Sequence, residues 1–202
     1  MVVKHLVRVY SKSMLFNEKK AAQVAAFFLH RGGGRLDILK LMKLMYLAER
    51  SSLTRFGEPL TGDWLFSMEH GPVLSRTLNH LNGFVDSAPD GWEAWISGRE
   101  DHLVAIKKHI DDTKKELSSL SDADLEVLQE VWGEYGHLTG FQLRDLTHEI
   151  CPEWEDPEHS SIPIPYTRVL RHVGHSPEVV KELDQRIRAQ RQLEKILEKA
   201  GS

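Results

Sequence analysis

The sequence has little of what several classes of protein require. Its one cysteine, Cys151, excludes an intramolecular disulfide framework and fits a reducing compartment. No run approaches the roughly 18 apolar residues that cross a bilayer. Lys4, Arg8 and Lys12 interrupt the first residues, so the continuous apolar core of a signal peptide is missing. The formal net charge of −4 argues against a generally basic nucleic-acid binder. Together these absences predict a soluble, cytoplasmic protein.

What is present fits one folded domain with appendages. The chain has 202 residues, of which 41% are hydrophobic and 28% charged, enough to bury a core of its own. The pattern predicts an N-terminal extension at 1–16, a helical domain at 17–175 and a C-terminal helix at 176–202. For residues 1–13 the sequence leaves three interpretations open: an extension, a remnant of cloning or an edge strand.

Apolar residues at helical spacing predict a mainly α-helical fold. The longest such pattern runs from Asp37 to about Phe56, and its apolar positions cover most of the helix circumference. The polar stripe that remains is narrow and consists of Lys40, Lys43 and Arg50. We therefore expect this segment to be the buried central helix.

Residues that favour helix ends delimit the other helices. The expected N-terminal caps are Asn17, Ser121 and Thr139, and the expected glycine stops are Gly32, Gly136 and Gly174. The corresponding helices are predicted at 18–31, 121–135, 139–148 and 166–173. A last helix of roughly twenty residues is expected after Ser176 and Pro177.

One small β element is expected between the helices. Residues 64–68 predict a short strand, and residues 102–108 could supply a second strand that pairs with it. Pro72 is placed to begin a helix that runs to Leu81, because the N–H that proline lacks has no partner at the first helical position. The predicted fold is thus a compact multi-helix domain with a small two-stranded β element and a long C-terminal helix.

The sequence offers no recognisable catalytic or metal-binding motif. Among its eleven histidines, only His148 lies close to the cysteine, three positions before Cys151, and two such residues are a weak metal or nucleophile signal. The glycines between Arg31 and Arg35 lack the Gly-Lys-Ser/Thr that a phosphate-binding loop requires. We therefore expect no catalytic residue, no cofactor and no metal, and a protein that is not an enzyme.

Three segments suggest binding. The apolar residues of the C-terminal helix could pack on the body of the domain or form a seam with another chain. The helix pair at 121–148 resembles a helix-turn-helix, but its second helix sets one cation, Arg144, against two carboxylates, Asp145 and Glu149, which disfavours nucleic acid. The acidic residues around Trp154 predict a solvated loop or, alternatively, a contact surface for a basic partner, since tryptophan is enriched at interface hot spots.

Two strings in the chain resemble a known family. The first is LKLMKLMYLAERSSLTRFGEPLTGDWLFSMEHGPVLSRTL, and the second is LSDADLEVLQEVWGEYGHLTGFQLRDLTHE followed by IPYTRVLRHVG. Both are similar to the Panacea domain of the SocA-like antitoxin family, formerly a domain of unknown function in phage-associated proteins. The most specific features are Thr61-Gly62-Asp63 and His70-Gly71-Pro72-Val73 after the apolar helix.

The resemblance implies a mostly helical antitoxin of a type II toxin–antitoxin system. Such an antitoxin binds and neutralises a cognate protein toxin encoded beside it. A role in phage defence is a further expectation from the resemblance. One branch of the family instead resembles a proteolytic adaptor that delivers its toxin to a ClpXP-type AAA+ protease. A DNA-binding autoregulator, acting through the helix pair at 121–148, is a further alternative. The resemblance leaves the toxin and the oligomeric state open.

The stretch EPLTGDWLFSMEHGPV, residues 58–73, is expected to form a rigid turn–strand–helix corner on the central helix. Its structural residues are predicted to be Gly62, Asp63, Gly71 and Pro72, since the glycines permit backbone angles that side chains disfavour and the proline fixes its own. The candidate partner-binding residues are Trp64, Glu69 and His70 in this corner and Trp154 in the acidic loop.

Overall fold

A computed structural model of the chain describes residues 16–200. Residues 1–13, for which the sequence leaves three interpretations open, lie outside this range. Within it the chain forms eight α-helices, five short strands and one 3-10 turn at Trp92–Ala94. The helices are α1 Glu18–Arg31, α2 Ile38–Phe56, α3 Ser75–Leu81, α4 Thr113–Glu116, α5 Asp122–Tyr135, α6 Gly140–Ile150, α7 Tyr166–His172 and α8 Pro177–Ala200. The strands are β1 Arg35–Asp37, β2 Leu65–Met68, β3 Gly71–Leu74, β4 Leu103–Ala105 and β5 Ile162–Ile164. The fold is mainly α, as predicted.

Helix α2 is the centre of the fold. Asp37 caps it by accepting the N–H of Lys40, and Gly57 ends it at a φ of 65°. Every residue from Leu41 to Glu49 is buried, because α1, α5, α6, α7 and β3 all pack around the helix. The prediction of a buried central helix is confirmed.

The predicted helix caps are also in place. Asn17 accepts the N–H of Lys20 at the start of α1. Ser121 and Thr139 each form a capping box, the first with Asp124 and the second with Gln142. These bonds join residues three apart, so a local pattern suffices to place them.

The β structure is larger than predicted and is paired differently. Strand β4 pairs with β1, with Val104 opposite Leu36, so the expected pairing of residues 102–108 with 64–68 is wrong. Strand β2 instead lies between β3 and β5 in a three-stranded antiparallel sheet. The third strand comes from the proline-containing region, whose Pro163 is tolerated because β5 is an edge strand.

The expected helix start at Pro72 is wrong as well. Pro72 lies in strand β3, opposite Ser67 of β2, and helix α3 begins three residues later at Ser75. Proline's fixed φ also suits an edge strand, and β3 is the edge of its sheet. The pairing with β2, which is not local to Pro72, decides between strand and helix.

Helix α8 follows α7 and packs on it, with Val180 and Leu183 buried at the contact. Within residues 16–200, none of the helices combines the length and the apolar character that a bilayer crossing requires. The same part of the chain contains no group of three or more histidine, cysteine or acidic side chains placed to hold a metal ion.

Candidate interaction site

The corner at residues 58–73 depends on two glycines with positive φ. Gly62 has φ of 73° and Gly71 has φ of 92°, as the sequence predicted. At Gly71 a methyl group would also lie 2.9 Å from Lys43 Nζ, 3.0 Å from Thr147 Oγ1 and 3.1 Å from His148 Nε2. Gly71 therefore meets two requirements, a left-handed backbone and a close approach to α2 and α6.

Asp63 fixes the corner to helix α3. Its buried carboxylate accepts the backbone N–H of Trp64 at 2.6 Å, and those of Arg76 and Thr77 at 2.8 Å, together with the Thr77 hydroxyl at 2.6 Å. Leu74, at the N-cap position of α3, provides no side-chain cap, so Asp63 supplies it from eleven positions earlier in the chain. Burial raises the pKa of Asp63, although these hydrogen bonds lower it in part.

Glu49 ties the same turn to α2 and α7. It is fully buried and accepts both the N–H of Thr61 at 2.9 Å and the Thr61 hydroxyl at 2.8 Å. The hydroxyl of Tyr166 reaches Glu49 Oε1 at 3.1 Å and also contacts the carbonyl oxygen of Asp63. Burial raises the pKa of Glu49 to about 6. The turn is thus held by side chains from two helices.

The polar stripe of α2 is present, but it faces other elements of the fold. Lys43 is fully buried and donates from Nζ to the carbonyl oxygen of Pro72 at 2.8 Å, which anchors strand β3. Lys40 donates to the carbonyl oxygen of Gly136 at 2.7 Å, in the turn after α5. Because burial disfavours the ammonium form, the pKa of Lys43 falls to about 7.

The acidic loop contributes a second anchor. We expected a solvated loop, but Glu153 is fully buried. Glu153 Oε1 accepts hydrogen bonds from the Tyr46 hydroxyl at 2.8 Å and from Arg50 Nε at 2.9 Å. Trp154 donates from Nε1 to the carbonyl oxygen of Met68 at 3.0 Å. Its ring stacks on His148 with 4.1 Å between the centroids. Trp154 therefore holds the end of the β2–β3 hairpin.

The Cys151 thiol near His148 in the sequence is buried and protonated. Cys151 is fully buried, and burial together with the nearby Glu153 carboxylate raises the pKa of its thiol to about 12. A thiol is a far weaker nucleophile than a thiolate. His148 is already committed to the stack with Trp154.

The candidate partner-binding residues are divided between two places. Trp64 precedes β2 and is 53% exposed, whereas Glu69 and His70 lie exposed in the turn after it. Five residue steps along a strand separate Trp64 from Glu69, or roughly 16 Å. Trp154 is half-buried at the Glu69 end, through its bond to Met68. The structure thus brings three of the four together and leaves Trp64 apart.

Trp64 has neighbours that the sequence did not suggest. The Arg76 guanidinium lies 5.1 Å from the ring centroid of Trp64 and 5.3 Å from that of Phe16. We refer to these three residues as the Trp64 stack. Trp64 and Arg76 are twelve positions apart and Phe16 is far from both along the chain, so no local periodicity could have identified the group.

The arginine on the second helix of the pair at 121–148 is already paired. Arg144, the cation on the second helix, donates to Asp145, and Arg144 Nη2 lies 2.6 Å from Asp145 Oδ1. The other exposed polar side chains there include Gln142 and Glu149. A phosphate approaching this face would meet a neutralised cation and a further carboxylate.

Comparison with known proteins identifies the family. The chain matches the family described as antitoxin SocA-like, Panacea domain, over residues 41–155, more than half of its length. No curated protein and no solved structure gives a significant match. The matched residues run from α2 to the acidic loop and include Lys43, Asp63, Gly71 and Glu153, which hold the corner in place. This chain therefore belongs to the SocA-like antitoxin family and carries its Panacea domain.

Proposed function

We propose that this protein is the antitoxin of a type II toxin–antitoxin system and neutralises a cognate protein toxin by binding it directly in the cytoplasm. The observation that carries the proposal is the family match over residues 41–155, which implies a role connected with toxin–antitoxin systems. The partner would be the product of the adjacent gene. Neutralisation would follow from covering the toxin's active surface.

The rigidity of the corner supports a binding role. Trp64 is fixed at its backbone by Asp63 and at its ring by Arg76, yet half of its surface remains open. A side chain that is already ordered loses little conformational entropy when a partner covers it. Tryptophan and arginine are also the residues most often found at the energetic centre of interfaces. The corner is therefore built to present an anchor.

The buried polar groups support binding over catalysis. The carboxylates of Glu49 and Asp63 and the ammonium of Lys43 all hold the corner together through hydrogen bonds inside the fold. Cys151 remains protonated at neutral pH, because its pKa is about 12. These groups act as structural ties, and we propose that the protein performs no chemistry of its own.

Co-expression with the product of the adjacent gene tests the proposal. We expect this protein to restore growth when that product is toxic, and the two to elute together from a sizing column. Trp64→Ala should weaken the complex, whereas Phe141→Ala removes a ring that is 66% exposed on α6 and serves as the matched control. Continued toxicity, with no complex, would refute direct neutralisation.

The fate of the toxin distinguishes neutralisation from delivery to a protease. We expect the toxin's half-life in cells to be the same with and without this protein, and to be unaffected by deletion of the ClpXP-type protease. A half-life that shortens only when both proteins are present would favour the adaptor mechanism instead.

A further inference from the structure

The guanidinium of Arg76 is held in an unusual setting for a surface cation. It lies over the rings of both Trp64 and Phe16, at 5.1 Å and 5.3 Å from their centroids. Contact with two aromatic rings restricts the movement of a guanidinium and leaves its N–H groups free to donate hydrogen bonds. Arg76 is thus oriented before any ligand arrives.

The chain contains a second arginine stacked on an exposed ring, and that arginine is neutralised. Arg55 lies 5.1 Å from the ring of Phe56, which is 47% exposed. Its guanidinium pairs with Glu130 at 2.8 Å and with Glu126 at 3.5 Å. The protein's own carboxylates therefore satisfy this cation.

A third such pair is neutralised in the same way. Arg144 lies 5.2 Å from the ring of Phe141, and its guanidinium pairs with Asp145 at 2.6 Å. Arg76 differs from both, since its guanidinium contacts no carboxylate or other acceptor among the residues whose side chains the structure describes. The charge of Arg76 is left for something outside this part of the chain.

The carboxylate of Asp63, which contacts the backbone of Arg76, is fully occupied. Asp63 accepts the backbone N–H of Arg76, not its guanidinium, and four donors surround its two oxygens. The same bonds fix the start of α3 and hence the position from which the Arg76 side chain extends. The scaffold therefore positions the cation without neutralising it.

We propose that the Trp64 stack is a subsite for a carboxylate side chain, Asp or Glu, on the partner protein. The planar guanidinium would accept such a group in a bidentate arrangement, and the apolar part of the same partner segment would lie on the open face of Trp64. This inference rests on the proposed function, because the partner is the bound toxin. To that function the inference adds the kind of toxin side chain that Arg76 would bind.

A carboxylate fits the surroundings better than a nucleic-acid phosphate. Binding a phosphate backbone requires several cations that act together. The lysines at the start of α1 are already paired, Lys19 with Asp90 at 2.7 Å and Lys20 with Asp124 at 2.9 Å. One oriented guanidinium beside an aromatic ring matches a single carboxylate on a protein surface.

The experiment measures the dissociation constant, Kd, of the complex with the adjacent gene's product by calorimetry. We expect Arg76→Ala to raise Kd by roughly 30-fold or more, as when one member of a desolvated charge pair is removed. The Kd of Arg76→Lys should lie between those of the wild type and Arg76→Ala, because an ammonium group keeps the charge but lacks the planar arrangement of donors. The matched controls are Arg55→Ala and Arg144→Ala, which we expect to change Kd by less than about threefold.

A charge-swap experiment covers the case in which Arg76→Ala perturbs folding. Arg76→Glu is combined with Asp→Lys and Glu→Lys substitutions across the surface of the partner. We expect one of them to restore binding, which a misfolded protein would not permit. Failure of every swap, or equal Kd values for Arg76→Ala and the two control variants, overturns the subsite but leaves direct neutralisation in place.

Two other outcomes are also decisive. If the wild-type proteins form no complex, direct neutralisation and the subsite both fail. If Arg76→Ala leaves the protein complex intact but abolishes binding to a duplex from the upstream region of the gene, the subsite belongs to phosphate and the carboxylate proposal is overturned.

Discussion

Replacing Lys43 by methionine should change how the stability of the protein depends on pH. Lys43 is fully buried, and one carbonyl oxygen, that of Pro72, accepts a hydrogen bond from its ammonium. Burial lowers the pKa of Lys43 from its ordinary 10.5 to about 7. Methionine has a similar length and no charge, so Lys43→Met removes the titration while keeping most of the packing.

The direction in which the free energy of unfolding changes with pH follows from the number of protons bound in each state. Between about pH 7 and 10.5 the folded protein has released the Lys43 proton, whereas the unfolded chain still binds it, so unfolding takes up a proton. The free energy of unfolding of the wild type should therefore rise with pH in this window. From pH 7 to 8.5 the expected contribution of Lys43 is about 1.5 kcal/mol. In Lys43→Met this contribution is absent.

Urea titrations at pH 7.0, 7.5, 8.0 and 8.5 measure the effect. The upper limit avoids Cys151, whose pKa rises from 9.0 to about 12 on folding and which therefore lowers stability as pH increases further. Lys181→Met, at an exposed lysine of α8, controls for the loss of one charge. Equal pH slopes in the wild type and Lys43→Met would refute the assignment of a buried, readily deprotonated Lys43.

Three further predictions concern the corner and its surroundings. Asp63→Ala leaves buried N–H donors unpaired at the start of α3, so chemical denaturation should show a free energy of unfolding that is lower by about 3 kcal/mol. The control is Ser121→Ala at an exposed helix cap, for which we expect a loss of about 1 kcal/mol. A smaller loss at Asp63 than at Ser121 would contradict the capping role. Gly71→Ala should lower the melting temperature more than Gly83→Ala. Both glycines have positive φ, but an added methyl group would contact three side-chain atoms at Gly71 and nothing within 4 Å at Gly83. Equal shifts in melting temperature would show that the backbone angle alone matters. Cys151 should react with a thiol reagent only as fast as the protein opens, because the side chain is fully buried and the pKa of its thiol is about 12. Rapid labelling of the native protein would disprove that burial.

Much of the helical framework was predictable from short patterns. The caps at Asn17, Ser121 and Thr139 lie where the sequence places them, because a cap joins groups three residues apart. The buried character of α2 follows from the apolar positions around its circumference. The positive φ angles of Gly62 and Gly71 were also expected, since a turn between apolar runs favours glycine.

The strand that contains Pro72 shows where such patterns fail. A proline after a glycine suits both a helix start and an edge strand, and its own neighbourhood cannot distinguish the two. Pairing with β2, and the bond from Lys43 to the Pro72 carbonyl oxygen, decide for the strand. The pairing of residues 102–108 was mispredicted for the same reason, since any of several short strands could have been its partner.

By itself, the amino-acid sequence determined most of the helices, three of their N-terminal caps, the positions of the two glycines and the family, because each depends on residue types at short, fixed spacings. Only the tertiary structure decided that Lys43 and Glu153 are buried, that Trp154 is an anchor and that Arg76 contacts two rings. These properties depend on which distant segments come into contact. The burial, charge state and partner of a side chain are set by that contact and not by its neighbours along the chain.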